Sequence, residues 1–339
     1  MSREPLIPHA LILRVLDEQY SLDLNRLSYL DAGTAHAYRA EGPHGTYFLK
    51  LVPGGEYGQE MLERVRAEVP LLLALREETL ERVPRPLFTR SGGDLAWVEG
   101  HPMLLYEWIE ARNLGLEWQA ALPGLAPLLG RLHGATERIM ARIEQLPTPP
   151  EEFAFPFAEQ LTRNLRHLQA LPAGSRAGMA KLRQVLTPHL GRIEGLLDEA
   201  GRYQAATRTR PVPFAVCHTD AHGGNVMRDE DGRLWLIDWE TARLAPPEHD
   251  LWMLGSHLKD VLPAYETALG RPAGLHFGTL AFYVCRRVLE DLAVDVQMIL
   301  HEHTRPEEDA HTLSTLREYV LPDLLTVQDR LNEFRWVAG

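Results

Sequence analysis

The sequence predicts an α+β protein: a small antiparallel β-rich lobe, a short connector and a large, mainly helical lobe with an embedded β hairpin. Three observations predict it. Short strand-like runs separated by turn-forming residues fill most of the first hundred or so residues. Apolar residues at helical spacing dominate beyond Glu110. Inside that helical stretch, one island between Phe214 and Ile237 returns to strand-like patterning around a turn. The chain of 339 residues is long enough for one large or two medium domains. We place the first lobe at 1–105, the connector at 106–112 and the helical lobe at 113–339.

Residues 10–20 read as a short amphipathic helix. Leu27 to Leu30, Ala35 to Ala40 and Thr46 to Val52 are strand candidates. Asp31-Ala32-Gly33 ends the first, and Glu41-Gly42-Pro43-His44-Gly45 joins the other two, so an antiparallel meander is expected. Gly54-Gly55 breaks it. A helix follows over 58–80, with Leu62, Val65, Val69, Leu72 and Leu73 on one face, and Pro70 should kink or divide it. Strands near 85–89 and 94–98, then Met103 to Trp108, complete the first lobe.

In the helical lobe, Leu125, Leu128, Leu129 and Leu132 mark one helix. A long helical run extends from Met179 through Leu190 to Leu197, and another from Phe282 through Leu289 to Ile299. Pro147 to Pro150 is a loop. In the island, Phe214 to Val216, Asn225 to Met227 and Arg233 to Ile237 are strand candidates. The turn Asp229-Glu230-Asp231-Gly232 joins the last two.

Composition narrows the function. Apolar residues make up 45% and charged residues 24%, which suits a soluble globular protein and is too apolar for disorder. The net charge of −12 argues against nucleic acid and anionic membrane as partners and favours neutral or cationic small molecules. Apolar runs such as Leu71 to Leu75 are too short to cross a bilayer. The first residues lack a basic stretch followed by a long apolar one, so a cytoplasmic protein is expected. Cys217 and Cys285 fit a reducing compartment and form no metal-binding spacing. Of 35 basic residues only Lys50, Lys181 and Lys259 are lysines, and every other one is arginine. A lysine at a chemically useful place therefore stands out.

The decisive segment is His218-Thr219-Asp220, then Asn225, then a hydrophobic strand ending in Asp238. Phosphoryl transfer needs such a set: one carboxylate to accept the proton of an attacking hydroxyl, and another carboxylate with an amide oxygen to hold Mg2+. Gly223 and Gly224 let the loop turn sharply and bring Asn225 back toward Asp220. His222 is read as a bystander.

Lys50 ends the strand-like Tyr47-Phe48-Leu49 and is a mobile point charge suited to phosphate oxygens. It needs an anionic partner, and of Glu60, Glu63 and Glu68 on the following helix we choose Glu68. The turn holding Gly33 and Thr34 is the expected phosphate cover, through its backbone amides.

With these residues in view, the chain resembles the aminoglycoside phosphotransferases and choline kinase relatives, small-molecule kinases with a protein-kinase-like bilobal fold. Cys217 to Asn225 and Leu236 to Leu251 carry the resemblance most specifically. Val83-Pro84-Arg85-Pro86, Leu104 to Ile109 and Leu129 to His133 add to it. Ile237 to Leu251 and Tyr283 to Leu292 look most like the spectinomycin-phosphotransferase-like branch. The resemblance implies that Asp220 is the catalytic base, that Asn225 and Asp238 bind Mg2+, and that Lys50 contacts the ATP phosphates. It also implies adenine contacts from the connector at Glu107 and Ile109, a loop-orienting role for His218 and a bracing role for Asp250. Asp250 reads alternatively as the N-cap of a helix starting at Leu251. No Arg precedes Asp220, Asp238-Trp239-Glu240 stands where protein kinases carry Asp-Phe-Gly, and no Ala-Pro-Glu anchor follows, so a protein substrate is not expected.

The resemblance places the acceptor on the late helices; the helix around 280–300 offers Glu290, Asp291 and Asp295 opposite its apolar face, and Glu290 and Asp291 are the candidates for binding a cationic group. Arg286–Glu290 and Arg287–Asp291 also read as ordinary i,i+4 ion pairs. The leading expectation is an ATP-dependent kinase for a hydroxyl of an aminoglycoside or spectinomycin-like aminocyclitol, hence antibiotic resistance, acting as a monomer or homodimer. The alternatives are a metabolic kinase for homoserine, choline, methylthioribose or a ketosamine, and a nucleotide-binding relative without catalysis.

Overall fold

In the computed structural model, which describes residues 4–30, 35–210 and 212–338, the chain starts with helix α1 (His9–Tyr20). Strands β1 (Arg26–Leu30), β2 (His36–Gly42) and β3 (Gly45–Leu51), helix α2 (Gly55–Glu78) and strands β4 (Pro86–Leu87), β5 (Ala96–Val98), β6 (His101–Glu107) and β7 (Ala111–Asn113) follow. Next come α3 (Leu122–Gly134), α4 (Thr136–Met140), α5 (Ala158–Gln169), α6 (Ala177–Leu186) and α7 (Leu190–Arg208). The island contributes β8 (Ala215–Cys217), β9 (Val226–Asp229), β10 (Leu234–Leu236) and β11 (Arg243–Ala245). Helices α8 (Glu248–Leu251), α9 (Leu258–Leu269), α10 (Phe277–Gln297), α11 (Pro306–Thr315) and α12 (Leu321–Glu333) complete the chain. No helix among the described residues is long and apolar enough to cross a membrane.

Contacts divide the chain into two compact units. The first holds Met1–Pro150, Ala215–Leu244 and Val261–Pro272; the second holds Glu151–Phe214, Ala245–Asp260 and Ala273–Gly339. In the first, an antiparallel sheet runs in the order β1-β2-β3-β6-β4, with β5 also paired to β6. Strand alternation sorts β3: Leu49 and Leu51 are buried with Ile12 and Leu16 of α1, Tyr38 and Leu105, while Lys50 lies between Ala37 and Leu104. A second small sheet runs β10-β9-β7.

Several elements depart from expectation. Helix α2 runs unbroken through Pro70. Pro70 is exposed, and so is Arg66, whose carbonyl loses its partner, so water can satisfy it on that side. Leu73 is also exposed, and Leu71 and Leu75 are buried instead. The run from Met179 to Leu197 is two helices separated by a 3-10 turn at Thr187–His189, where Pro188 cannot donate to the preceding turn. Strand β7 lies at the end of the expected connector, where no strand was expected; it is three residues long and pairs with β9, so no local periodicity announces it.

The second unit is helical. Its α10 packs against α5, α7 and α12, with Phe282 fully buried and 5.8 Å from Phe153 between ring centroids. Asp295 on the same helix, expected opposite its apolar face, is instead only 9% exposed, and its Oδ2 has no hydrogen-bond partner. Burial, with Asp291 adding and His303 opposing, pushes its carboxyl up to about 6.

Two predictions arise here. The folded protein holds the Asp295 proton above the pH at which an unfolded chain releases it. The contribution of Asp295 to stability then falls as pH rises from about 4 to about 6 and is constant above that. Asp295→Asn should remove this slope in urea unfolding, leaving the variant more stable than the parent at pH 8 and equal at pH 4; a loss at both values contradicts the assignment. Separately, a Cβ on Gly130 would lie 2.4 Å from the Tyr265 carbonyl oxygen, where α3 and α9 cross. Gly130→Ala should cost about 1–3 kcal/mol in the same measurement, and an unchanged midpoint would show that the crossing yields freely.

Candidate active site

The sheet supplies one ammonium group. Lys50 Nζ lies 2.5 Å from Glu240 Oε2, 3.9 Å from Asp238 Oδ1 and 4.0 Å from Glu68 Oε2. Burial works against the charge on Lys50, but Glu68, Glu240 and Asp238 outweigh it and hold the pKa above the ordinary lysine range. Glu68 is in the cluster, on α2, yet the hydrogen bond from Lys50 goes to Glu240. Glu68 instead accepts the Trp239 N–H at 3.0 Å through Oε1 and the Tyr106 hydroxyl at 3.4 Å through Oε2. Burial pushes Glu68 up to about 7 against the pull of Lys50. Burial, then Lys50 in opposition, then Glu240 and Asp220 in support leave Asp238 above the usual carboxylate range; its side chain is nearly half exposed, so solvent tempers the shift.

The island supplies the remaining groups. His218 is fully buried. Its Nε2 lies 2.9 Å from the Ile237 carbonyl, and its Nδ1 accepts the Asp220 N–H at 3.2 Å, which assigns the neutral ring with its proton on Nε2. Asn225 Nδ2 donates to both the carbonyl and Oδ2 of Asp220, each at 2.9 Å. The amide oxygen of Asn225 is then the atom available to a cation. The Ile237 N–H donates to the Asn225 carbonyl at 3.0 Å and ties the end of β10 to the loop. Thr219 and Asp238 have φ of 74° and 66°, a left-handed conformation that non-glycine residues adopt at a cost.

The loop is clamped from β7. Leu114 N–H donates to Val226 O at 3.0 Å, Gly115 N–H to Gly223 O at 2.9 Å, and Asn113 Nδ2 to Gly224 O. A Cβ on Gly223 would lie 1.9 Å from Gly115 O, so glycine is required for this approach. His222 folds back: its Nδ1 accepts the Gly224 N–H at 2.8 Å, and its Nε2 lies 3.4 Å from Asp220 Oδ2.

These groups open onto a cleft of about 350 Å³. Lys50, Glu68, Asn225 and Asp238 line its polar part, and Leu30, Ala37, Phe48, Met227 and Ile237 its apolar part. Glu107, Trp108 and Ile109 of the connector line it too. The Glu107 and Trp108 amides are committed to Arg85 O at 2.9 Å and Thr46 O at 3.3 Å. Such a cleft suits a flat aromatic group carrying a polyanion.

Gly33 and Thr34 lie outside the described residues. Asp250 is fully buried in the second unit, and because α8 begins at Glu248 with Pro247 as its N-cap, Asp250 is not a cap. Asp291 pairs with Arg287 at 3.0 Å, and burial raises its pKa. Arg286 turns to Glu151 at 3.4 Å, while Glu290 is half-buried. Sequence spacing misses Glu240, Asn113 and His222. Glu240 had a signal, its position two residues past Asp238; Asn113 had none, because its partner is over a hundred residues away.

A family model described as the phosphotransferase enzyme family matches residues 27–283, a span that contains every residue of the cleft. A homoserine kinase of Pseudomonas aeruginosa strain PAO1 is 30% identical over 225 residues, 64% of this chain and 63% of that kinase. The chain thus spans under two thirds of that relative's length. A spectinomycin phosphotransferase crystallised with ADP and spectinomycin has a similar structure: TM-score 0.77, 18% identity, 96% of this chain and 99% of the other covered. A choline kinase of Streptococcus pneumoniae gives TM-score 0.52 and 18% identity, covering 94% and 98%. These structures share the kinase-like fold, and the family-model match over residues 27–283 shows that the chain belongs to the phosphotransferase enzyme family.

Proposed function

We propose that the chain transfers the γ-phosphoryl group of Mg-ATP to a hydroxyl of a small cationic amino alcohol in the cytoplasm, foremost a spectinomycin-like aminocyclitol or other aminoglycoside. The observation that carries this reading is one cleft holding Lys50, Asp238, Asn225 and, beside them, Asp220. In this reading 1–105 is the nucleotide lobe, 106–112 the hinge and 113–339 the lobe that receives the acceptor.

The residues present fit Mg2+. Asn225 and the half-exposed Asp238 offer hard oxygen ligands, and three carboxylates around one ammonium leave negative charge in excess. When bound, Mg2+ neutralises charge on the phosphate oxygens. The Ile109 amide meets the adenine edge, since the two preceding amides are engaged. Lys50 exchanges Glu240 for phosphate oxygens. Asp220 accepts the proton of the acceptor hydroxyl. That oxygen bonds to the γ-phosphorus as the bond from phosphorus to the β–γ bridging oxygen breaks, releasing ADP. His218 keeps the Asp220 backbone in place.

Sequence similarity to homoserine kinase favours a second acceptor, homoserine. Homoserine, spectinomycin and choline share a cationic nitrogen and a hydroxyl, which suits the net charge of −12. Glu290 and Asp291 remain the residues proposed to meet that nitrogen, and Asp250 the one proposed to brace the catalytic loop.

ATP turnover with a panel of aminoglycosides, spectinomycin, homoserine, choline and related alcohols separates these readings. No turnover above background across the panel would favour a nucleotide-binding role without catalysis. Asp220→Ala should lower turnover at least ~100-fold while calorimetry shows ATP affinity unchanged; full turnover in that variant overturns the mechanism. Asn225→Ala should raise the Mg2+ concentration for half-maximal rate about 10-fold or more, and an unchanged Mg2+ dependence removes Asn225 from the metal site.

A further inference from the structure

Sequence spacing assigns His222 no role, yet its ring stands against the carboxylate proposed as the base. The Gly224 N–H donates to His222 Nδ1 at 2.8 Å, so the neutral ring carries its proton on Nε2. That nitrogen lies 3.4 Å from Asp220 Oδ2, the same oxygen that accepts Asn225 Nδ2–H at 2.9 Å. Two donors converging on one oxygen set the rotation of the carboxylate. The His222 contact exceeds a standard hydrogen bond, and contacts of this kind tighten once substrate is bound.

The ring is held in this pose by the loop itself. The His222 N–H donates to Asp220 O at 2.8 Å, and the Asn225 N–H donates to His222 O at 2.8 Å. A Cβ on Gly224 would fall 2.5 Å from ring atom Cε1, so this glycine makes the space in which the ring folds back. Asn113 fixes the Gly224 carbonyl from β7. The His222 side chain is 47% exposed, so its packing alone contributes little to the core.

We propose that His222 is a positioning residue that holds the Asp220 carboxylate in the orientation from which it takes the hydroxyl proton. His222 itself keeps its proton throughout. The proposal rests on the phosphotransferase reading and on Asp220 as its base.

Two substitutions separate the functions of the ring. Asn places a short amide where Nδ1 accepts the Gly224 N–H but does not reach Asp220. Gln reaches Asp220 with a donor. His222→Asn should lower kcat about 10- to 100-fold with KM for ATP unchanged, and His222→Gln should return to within about fivefold of the parent. In an Asp220→Asn background, His222→Asn should have no further effect. Parent-like kcat in both single variants makes His222 a bystander and overturns the proposal. Loss in the Gln variant with retention in the Asn variant overturns it in favour of a backbone role. An added loss in the Asp220→Asn background shows that His222 acts elsewhere. Thermal melts of each variant verify folding. If Asp220→Asn alone turns over like the parent, the base assignment fails; if it is inactive while His222→Asn is unaffected, only the positioning role fails.

Discussion

A single buried ammonium facing three carboxylates is the interaction on which the site depends. Each carboxylate reaches Lys50 from a different part of the fold: Glu68 from α2, Asp238 and Glu240 from the segment following β10. At such distances the pairwise Coulomb terms are several kcal/mol in a protein-like dielectric, and one positive charge does not offset the mutual repulsion of three negative ones. Burial first, and the neighbouring carboxylates after it, raise the proton affinities of Glu68 and Asp238. In the proposed function a divalent cation with a phosphate chain would restore the charge balance: Asp238 and Asn225 would hold the cation and Lys50 the phosphates.

Trp239 makes the crowding sustainable. It is fully buried between the two acidic residues, its amide is held by Glu68, and its indole N–H donates to the Leu236 carbonyl at 2.9 Å. Its ring also packs on His218, with centroids 4.5 Å apart. The same residue therefore couples the α2 glutamate, the acidic segment and the loop from His218 to Asn225. The left-handed residues Thr219 and Asp238 carry backbone strain at or beside the two carboxylates, Asp220 and Asp238, that the proposed function uses.

Much of this was legible in the residues. The offsets of His218, Asp220 and Asn225, followed by a strand into Asp238, announce phosphoryl chemistry, and Lys50 stands out in an arginine-rich chain. The meander was readable from its turns. Less legible were features that need tertiary partners. The preference of Lys50 for Glu240 depends on how the acidic segment leaves β10, not on helix spacing. Strand β7 exists only because β9 is there to pair with it. The contacts of His222 come from a ring turned back onto a glycine amide, which spacing does not encode. Helix α2 ignores Pro70 because the lost hydrogen bond faces solvent.

Phosphorus NMR of the protein with Mg-ATP and candidate amino alcohols tests the central claim most directly. The account predicts that one acceptor yields a phosphomonoester resonance together with ADP, and that both vanish when Mg2+ is chelated. ADP with free phosphate alone, or ester formation that persists without a divalent cation, would contradict it.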